Sequence, residues 1–379
     1  LITAFANLFG LGGAPLCAMA RGKGNREGAQ GIMVNAGFML LLSGAVLTVL
    51  GIAFHRPLLY LFGASEVTYP YASSYIVIYL LGTLCVMLSL GLNPYINCQG
   101  FARTGMLTVA LGAAANIVLD PIFIFALHLG VRGAAIATVL SQFLSAAWVV
   151  KFLTGKKAEL KLDFRGFCPD WHCIQRITVL GIASFVMSFT DMLVQVACNS
   201  MLRGFGGDLY ISVMTVLNSV RQIAQTPVLA IADGASTAIS YNYGAGLYKR
   251  TRDAIRFMTQ IAIGYTMLVW MLVSLFPALF IRIFNQDAEL VAAAVPALHI
   301  YFFGFVMMAF QYAGQSTFRA LGRAKYAVFF SLLRKAFIVV PLTLLLPYCW
   351  NLGVSGVFAA EPVSNCIGGL ACYLTMRHV

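Results

Sequence analysis

Four acidic residues of this 379-residue chain stand inside long apolar runs: Asp120, Asp191, Asp233 and Glu361. A charge at the centre of a bilayer costs on the order of 2.5–3.5 kcal/mol on insertion scales, so each needs a hydrogen-bonded partner or a task. Asp120 belongs to "NIVLDP", where Asn116 and Asp120 are four residues apart and share one helical face. Pro121 follows; it has no N–H, loosens the preceding turn and can release a carbonyl. A carboxylate, an amide oxygen and a released carbonyl are hard ligands suited to a small hard cation. Protonation of Asp120 is the other way to neutralise it.

The remaining acids and one base have simpler readings. Asp191 opens a polar stripe in "SFTDMLVQVACN", with Gln195 and Asn199 at helical spacing. That stripe either faces a solute cleft or binds a neighbouring helix. Arg221 lies with Asn218, Gln222 and Gln225 ahead of Pro227, and pairing with Asp191 would neutralise both charges. Asp233 stands near the end of its run and can approach the membrane interface. Glu361 precedes Pro362 and can hold a kink. Tyr241 and Tyr312, with Met187 and Met192, are candidates to line a cleft for flat cations through cation–π and thioether contact.

These residues must be positioned by membrane helices. The chain is 60% hydrophobic and 10% charged, against about 25% charged in a soluble domain. Ten complete apolar runs of helix-spanning length are expected, near 30–53, 72–93, 106–127, 131–152, 174–200, 209–238, 254–281, 291–312, 326–348 and 352–376. Residues 1–20 form the end of an eleventh. None alternates as a barrel strand does. The fold class is therefore an all-α polytopic membrane protein. The first run starts without a charged flank, so the chain is expected to lack its first helix and to be inactive without it.

Charge placement sets the expected orientation. Threading the runs alternately puts twenty of the 25 basic residues on one side, among them Arg319, Arg323, Lys325, Arg334 and Lys335. Arg56, Arg132, Arg203 and Arg282 fall on the other side, and Arg221 lies within a run. The crowded side is cytoplasmic by the positive-inside rule, with loops 21–28, 154–170, 244–256 and 319–325 there. The net charge of +12 thus needs no nucleic acid to explain it. Nine scattered cysteines without CxxC spacing predict neither a disulfide frame nor a metal site.

The chain also repeats itself. An offset of 222 aligns Gly12 with Gly234, Gly22 with Gly244, Gly24 with Gly246, Phe62 with Phe284, Tyr79 with Tyr301 and Gly82 with Gly304. A small gap then pairs Gln99 with Gln315 and Arg103 with Arg319, and "LGVRG" meets "LGVSG". The offset covers six helices, an even number, so both copies run the same way: a parallel repeat, as in many secondary transporters. The domains expected are an N-terminal lobe at 1–153, a linker at 154–170 and a C-terminal lobe at 171–379.

At "GLGGAP…ARGKGNREGA", "RTG…NIVLDPIFIF…LGVRGAAIAT", "SYNYGAG" and "FRALGRA" the chain resembles the multidrug and toxic compound extrusion (MATE) family. The resemblance implies two six-helix bundles, a central cleft and alternating access. It implies export of amphipathic, often cationic, small compounds in exchange for Na+ or H+, with no other cofactor. In that family an Asn, an Asp four residues later and a Thr in the next helix form a cation site; Asn116, Asp120 and Thr138 match it. The family site also uses an acid in the first helix, which these residues do not include. Some branches of the family have an acid in the tenth helix, for a second cation site in the C-terminal lobe; 291–312 has none. A monomer in the inner membrane is expected, its only wider partner the lipid bilayer.

No nucleophile–base pair or phosphate loop is present, so an enzyme or ATP-driven pump is not expected. "GFGGD" (204–208) lacks the strand a dinucleotide fingerprint needs. The competing reading is a flippase or exporter of lipid-linked sugars on a related scaffold, which should carry a strongly cationic cavity. Only Arg221 is clearly intramembrane by this reading, which favours drug export. A channel or receptor would not require the repeat.

Overall fold

The computed structural model describes residues 2–61, 66, 69–349 and 352–378, which are helices and their connections with no strand among them. Phe62, matched above with Phe284, lies outside the described residues. The helices are α1 (Ile2–Gly22), α2 (Arg26–Leu61), α3 (Tyr69–Leu81), α4 (Thr83–Cys98), α5 (Ala102–Pro121), α6 (Gly130–Thr154), α7 (Trp171–Gly244), α8 (Tyr248–Leu275), α9 (Pro277–Arg282), α10 (Ala288–Phe302), α11 (Met307–Ala320), α12 (Ala324–Leu332), α13 (Val340–Leu345) and α14 (Val354–His378). Eight helices among the described residues are long and apolar enough to cross a membrane, or ten if each of two bent pairs is one span. The long stretch α7 breaks at Gly207 (φ +67°, ψ −164°). Its second part, the run expected at 209–238, is helical but not among those spans, because Asn218, Arg221, Gln222 and Gln225 dilute its apolar character.

Many large apolar side chains point outward, as on α5, where Met106, Val109, Ile117 and Val118 are all exposed. In water such a face would associate; in a bilayer it is solvated by acyl chains, and helices instead meet through small residues. The "GLGG" motif does this in α1. A Cβ on Gly10 would come 2.8 Å from the Gly91 carbonyl of α4, and a Cβ on Gly181 of α7 would strike the Leu8 carbonyl. Tyr95 of α4, fully buried, donates its hydroxyl to the Phe9 carbonyl at 2.8 Å.

Contacts divide the chain into two compact units, Leu1–Phe185 with Gly244–Gly246, and Val186–Tyr243 with Leu247–Val379. The division falls inside α7, since residues 171–185 pack on α1 through Gly181 and Ile177. The segment 154–170 is held within the first unit. Leu160 is buried and its N–H donates to Gln99 Oε1 at 2.9 Å, while the Asp170 N–H donates to Asn35 Oδ1 at 2.9 Å.

The internal repeat is visible in the backbone. Gly24 and Gly246 have φ of +76° and +74°, Gly100 and Gly322 of +90° and +73°, Gly130 and Gly353 both of +52°. These left-handed turns, which glycine adopts without strain, keep an offset of 222 or 223 residues. Both units also contain a bent span, by 53° at Gly82 between α3 and α4 and by 51° around Gly304 between α10 and α11. The constant offset puts Gly100 with Gly322, so the gapped pairing of Gln99 with Gln315 and Arg103 with Arg319 is corrected: those residues resemble each other without occupying equivalent places.

Candidate functional site

In the first unit the polar centre is local to one helix. Asn116 and Asp120 lie on the same face of α5, both half-buried, and Asn116 Nδ2 donates to Asp120 Oδ1 at 3.3 Å. Directly after Pro121 the chain widens into a π-helical turn, Ile122–Ala126, with the Leu127 N–H reaching the Ile122 carbonyl at 2.9 Å. Such turns release backbone groups from the regular ladder and recur at functional positions. The N-terminal end of α6 closes on this turn, since a Cβ on Gly133 would stand 2.5 Å from the Phe123 carbonyl. Farther along, Ser145 Oγ of α6 donates to the Thr108 carbonyl of α5 at 3.0 Å. Thr138 is half-buried on α6, and its hydroxyl donates to its own helix at Ala134 O, 2.9 Å away. That bond uses the proton and leaves oxygen lone pairs to accept or ligate.

The second unit contains a larger network built from distant segments. Arg221 of α7 donates to Glu361 Oε1 of α14 at 2.8 Å. Arg334 donates to the same oxygen at 3.1 Å and to Asn365 Oδ1 at 2.6 Å. Lys335 pairs with Asp191 and also donates to the Met187 carbonyl at 3.3 Å. Arg221 lies over the Tyr301 ring, 5.5 Å from its centroid, a cation–π distance. Tyr301 donates to Asn218 Oδ1 at 3.0 Å, Asn218 donates to Gln195 Oε1 at 2.9 Å, and Gln195 reaches Asn199 at 3.4 Å. The stripe of Gln195 and Asn199 therefore joins both parts of α7 to α10. Tyr312 donates to Gln225 Oε1 at 3.4 Å. Gln222 and Tyr241 are exposed. Met187 contributes its carbonyl; the Met192 side chain lies outside the described residues.

Three expectations are corrected by these contacts. Arg221 pairs with Glu361 rather than Asp191, because α14 brings the buried carboxylate to the guanidinium while Asp191 meets Lys335. Arg334 and Lys335 are buried within the protein rather than in an exposed basic loop. They lie in a π-helical turn, Leu333–Val339, between α12 and α13, with side chains 3% and 4% exposed. Arg221 is consequently not the sole intramembrane base. Glu361 does more than precede a kink: it is the shared acceptor of two guanidinium groups. Asp233, near the end of α7, forms an ion pair with Arg319 at 2.9 Å.

Charge placement assigns Arg334 and Lys335 to the basic side because they lie only about ten residues inside a helix whose start is basic. At 1.5 Å per residue that is already some 15 Å along the helix axis. A signal for Glu361 did exist. At the offset that relates Gly130 to Gly353, Glu361 takes the place of Thr138, so the repeat marks it as the counterpart of a polar position in the first unit.

The comparisons with known proteins agree with this architecture. A profile of the MatE family matches residues 1–122 and 183–345. The multidrug export protein MepA of Staphylococcus haemolyticus (strain JCSC1435) is 24% identical over 358 residues, 94% of this chain and 78% of that protein. A FAD transporter of Shewanella oneidensis is 24% identical over 371 residues, 94% of this chain and 79% of its own length. The solved outward-facing structure of a multidrug resistance MATE family transporter superimposes with a TM-score of 0.94 at 23% identity, covering all of this chain and 84% of the other. With a family profile matched over most of its length, on a fold of many membrane-spanning helices, the chain belongs to the MatE family and is a multi-pass membrane transporter, not an enzyme.

Proposed function

We propose that the protein is a cation-coupled antiporter that exports amphipathic compounds by alternating access, with Asn116 and Asp120 as its coupling site and Thr138 as an accessory ligand. The observation that carries this reading is the Asn116–Asp120 contact at 3.3 Å, set immediately before Pro121 and the π-helical turn. A carboxylate and an amide oxygen at that spacing hold either a small cation or a proton, and each state neutralises Asp120. Binding then favours one conformation by the differential affinity of the two states. Relatives named as multidrug export proteins support drug-like substrates. The lipid-linked sugar reading is not retained: the relatives are drug and FAD transporters, although the bases it called for are more numerous than expected.

The test is ethidium efflux from proteoliposomes of the full-length protein, with a Na+ gradient and a pH gradient imposed separately. One of the two should drive net export. Equal rates with either gradient and with none would remove the coupled reading.

We place the protein in the inner membrane, as a monomer, with the basic loops cytoplasmic. Two native cysteines report on this, since Cys168 and Cys349 are both exposed. In variants that retain one cysteine each, an impermeant thiol reagent added outside intact cells should label Cys349 and spare Cys168. The reverse pattern inverts the topology.

A further inference from the structure

The second unit contains more buried positive than negative charge. Arg221, Arg334 and Lys335 meet two carboxylates, Glu361 and Asp191, and one oxygen of Glu361 serves both guanidinium groups. The side chains of Arg334, Lys335 and Glu361 are 3%, 4% and 7% exposed. Arg334 Nε is buried without a hydrogen-bond partner among the described residues. A surplus charge in such surroundings is expensive unless paired, and a buried donor without an acceptor adds to the cost.

The two carboxylates are not equivalent. Glu361 is enclosed between its two arginines, whereas the Asp191 side chain is 50% exposed. The buried ammonium of Lys335 is thus reached from outside at the place Asp191 occupies. Its other mapped bond, to the Met187 carbonyl, fixes the nitrogen there. The lysine also stands in the π-helical turn Leu333–Val339, whose Arg334 carbonyl accepts from Ser364 Oγ at 3.0 Å. A widened turn of this kind is an independent mark of a functional position.

We propose that this centre receives the anionic group, a carboxylate, sulfonate or phosphate, of an amphipathic solute. Lys335 is the donor that meets it, and Asp191 is the internal carboxylate that it displaces. Arg221 and Arg334 supply the surrounding positive field, held in place by Glu361. The pair is thereby a lock that an incoming anion opens: with no solute bound Asp191 neutralises Lys335, and with solute bound Asp191 swings to its exposed side. The proposal rests on the export reading only in treating the solute as cargo; the binding step stands by itself.

The experiment measures binding without transport. The full chain is placed in phosphatidylcholine nanodiscs, and fluorescence anisotropy follows fluorescein, an anion, and rhodamine 123, a cation of similar flat shape. Asp191→Asn removes the competing carboxylate and should tighten fluorescein binding about tenfold, while Lys335→Gln removes the charge-assisted donor and should weaken it about tenfold or more. Lys335→Arg should stay within about threefold of the parent, since the charge is kept. Rhodamine 123 binding should not follow this order. A merely structural ion pair gives the opposite result: both neutralising substitutions would weaken binding of both probes together and lower the unfolding temperature alike. That outcome, or fluorescein binding indifferent to Asp191→Asn, overturns the proposal, as does an Asp191→Asn protein that binds no fluorescein. Discs enriched in phosphatidylglycerol separate two sources of the same group. Loss of fluorescein binding there assigns the site to a lipid headgroup, and unchanged binding assigns it to a soluble anion; either result supports an anion site. No gradient is applied, so failure here leaves the coupled-export reading intact, and failure of ethidium efflux leaves this measurement readable.

Discussion

Asp120→Asn is expected to abolish ion-driven export while leaving insertion and folding intact. The substitution keeps the shape of the side chain and its contact with Asn116, 3.3 Å away in the parent, but removes the charge. Insertion should become easier, by roughly 2–3 kcal/mol on translocon scales, because a carboxylate at membrane depth is replaced by an amide. What disappears is the group that alternates between holding a cation or proton and standing free. Coupling energies of about 1–3 kcal/mol, or five- to 150-fold in affinity, are typical of linked sites, and this substitution removes the whole of that term. Ethidium efflux under separately imposed Na+ and pH gradients should then fall to the rate without a gradient. Asn116→Ala should reduce coupling less, since it removes one neutral ligand and keeps the charge. An Asp120→Asn protein that exports with its ion dependence unchanged would sink the proposed site, and Asp191 and Glu361 would become the leading groups.

Glu361→Gln should produce the largest loss of stability. In the parent one carboxylate oxygen accepts from Arg221 at 2.8 Å and from Arg334 at 3.1 Å, all three groups inside the second unit. Neutralising it strands two guanidinium groups together. Breaking a buried ion pair by removing one partner costs about 3–5 kcal/mol, mostly as uncompensated charge. Thermal unfolding of the detergent-solubilised protein should show this as a strongly lowered transition or a failure to accumulate. Adding Arg334→Met should recover part of the loss, because it removes one stranded charge and fills the space with an apolar chain. A Glu361→Gln protein as stable as its parent, or a double variant less stable than the single one, would contradict the role given to Glu361.

These predictions differ in how far the sequence led to them. Asn116 and Asp120 are neighbours on one helical turn, so their contact follows from spacing alone, and Pro121 announced the disturbed backbone that became the π-helical turn. The membrane class followed from composition, because a helix must satisfy its own backbone and show apolar side chains to lipid wherever it stands. The repeat was legible for a similar local reason. Turns such as Gly24 and Gly246, or Gly130 and Gly353, need a residue without a Cβ, and that need leaves a letter in the sequence.

The second polar centre was decided by tertiary structure. Arg221 and Glu361 are 140 residues apart, and Arg319 and Asp233 are 86 apart. Local spacing says nothing about such pairs, so the sequence offered Asp191 to Arg221 simply as the acid of the neighbouring apolar run. The packing of α14 against the π-helical turn brought Glu361 instead, and Asp191 was left to Lys335. Charge counting likewise assigned Arg334 and Lys335 to a surface, because a one-dimensional tally cannot tell a basic loop from bases one helical stretch inside it. Composition, turn chemistry and neighbours on one turn are local properties and were readable from the chain. Which charges end buried, and against which partners, depends on the cost of leaving them unpaired, a cost that exists only once the helices have packed.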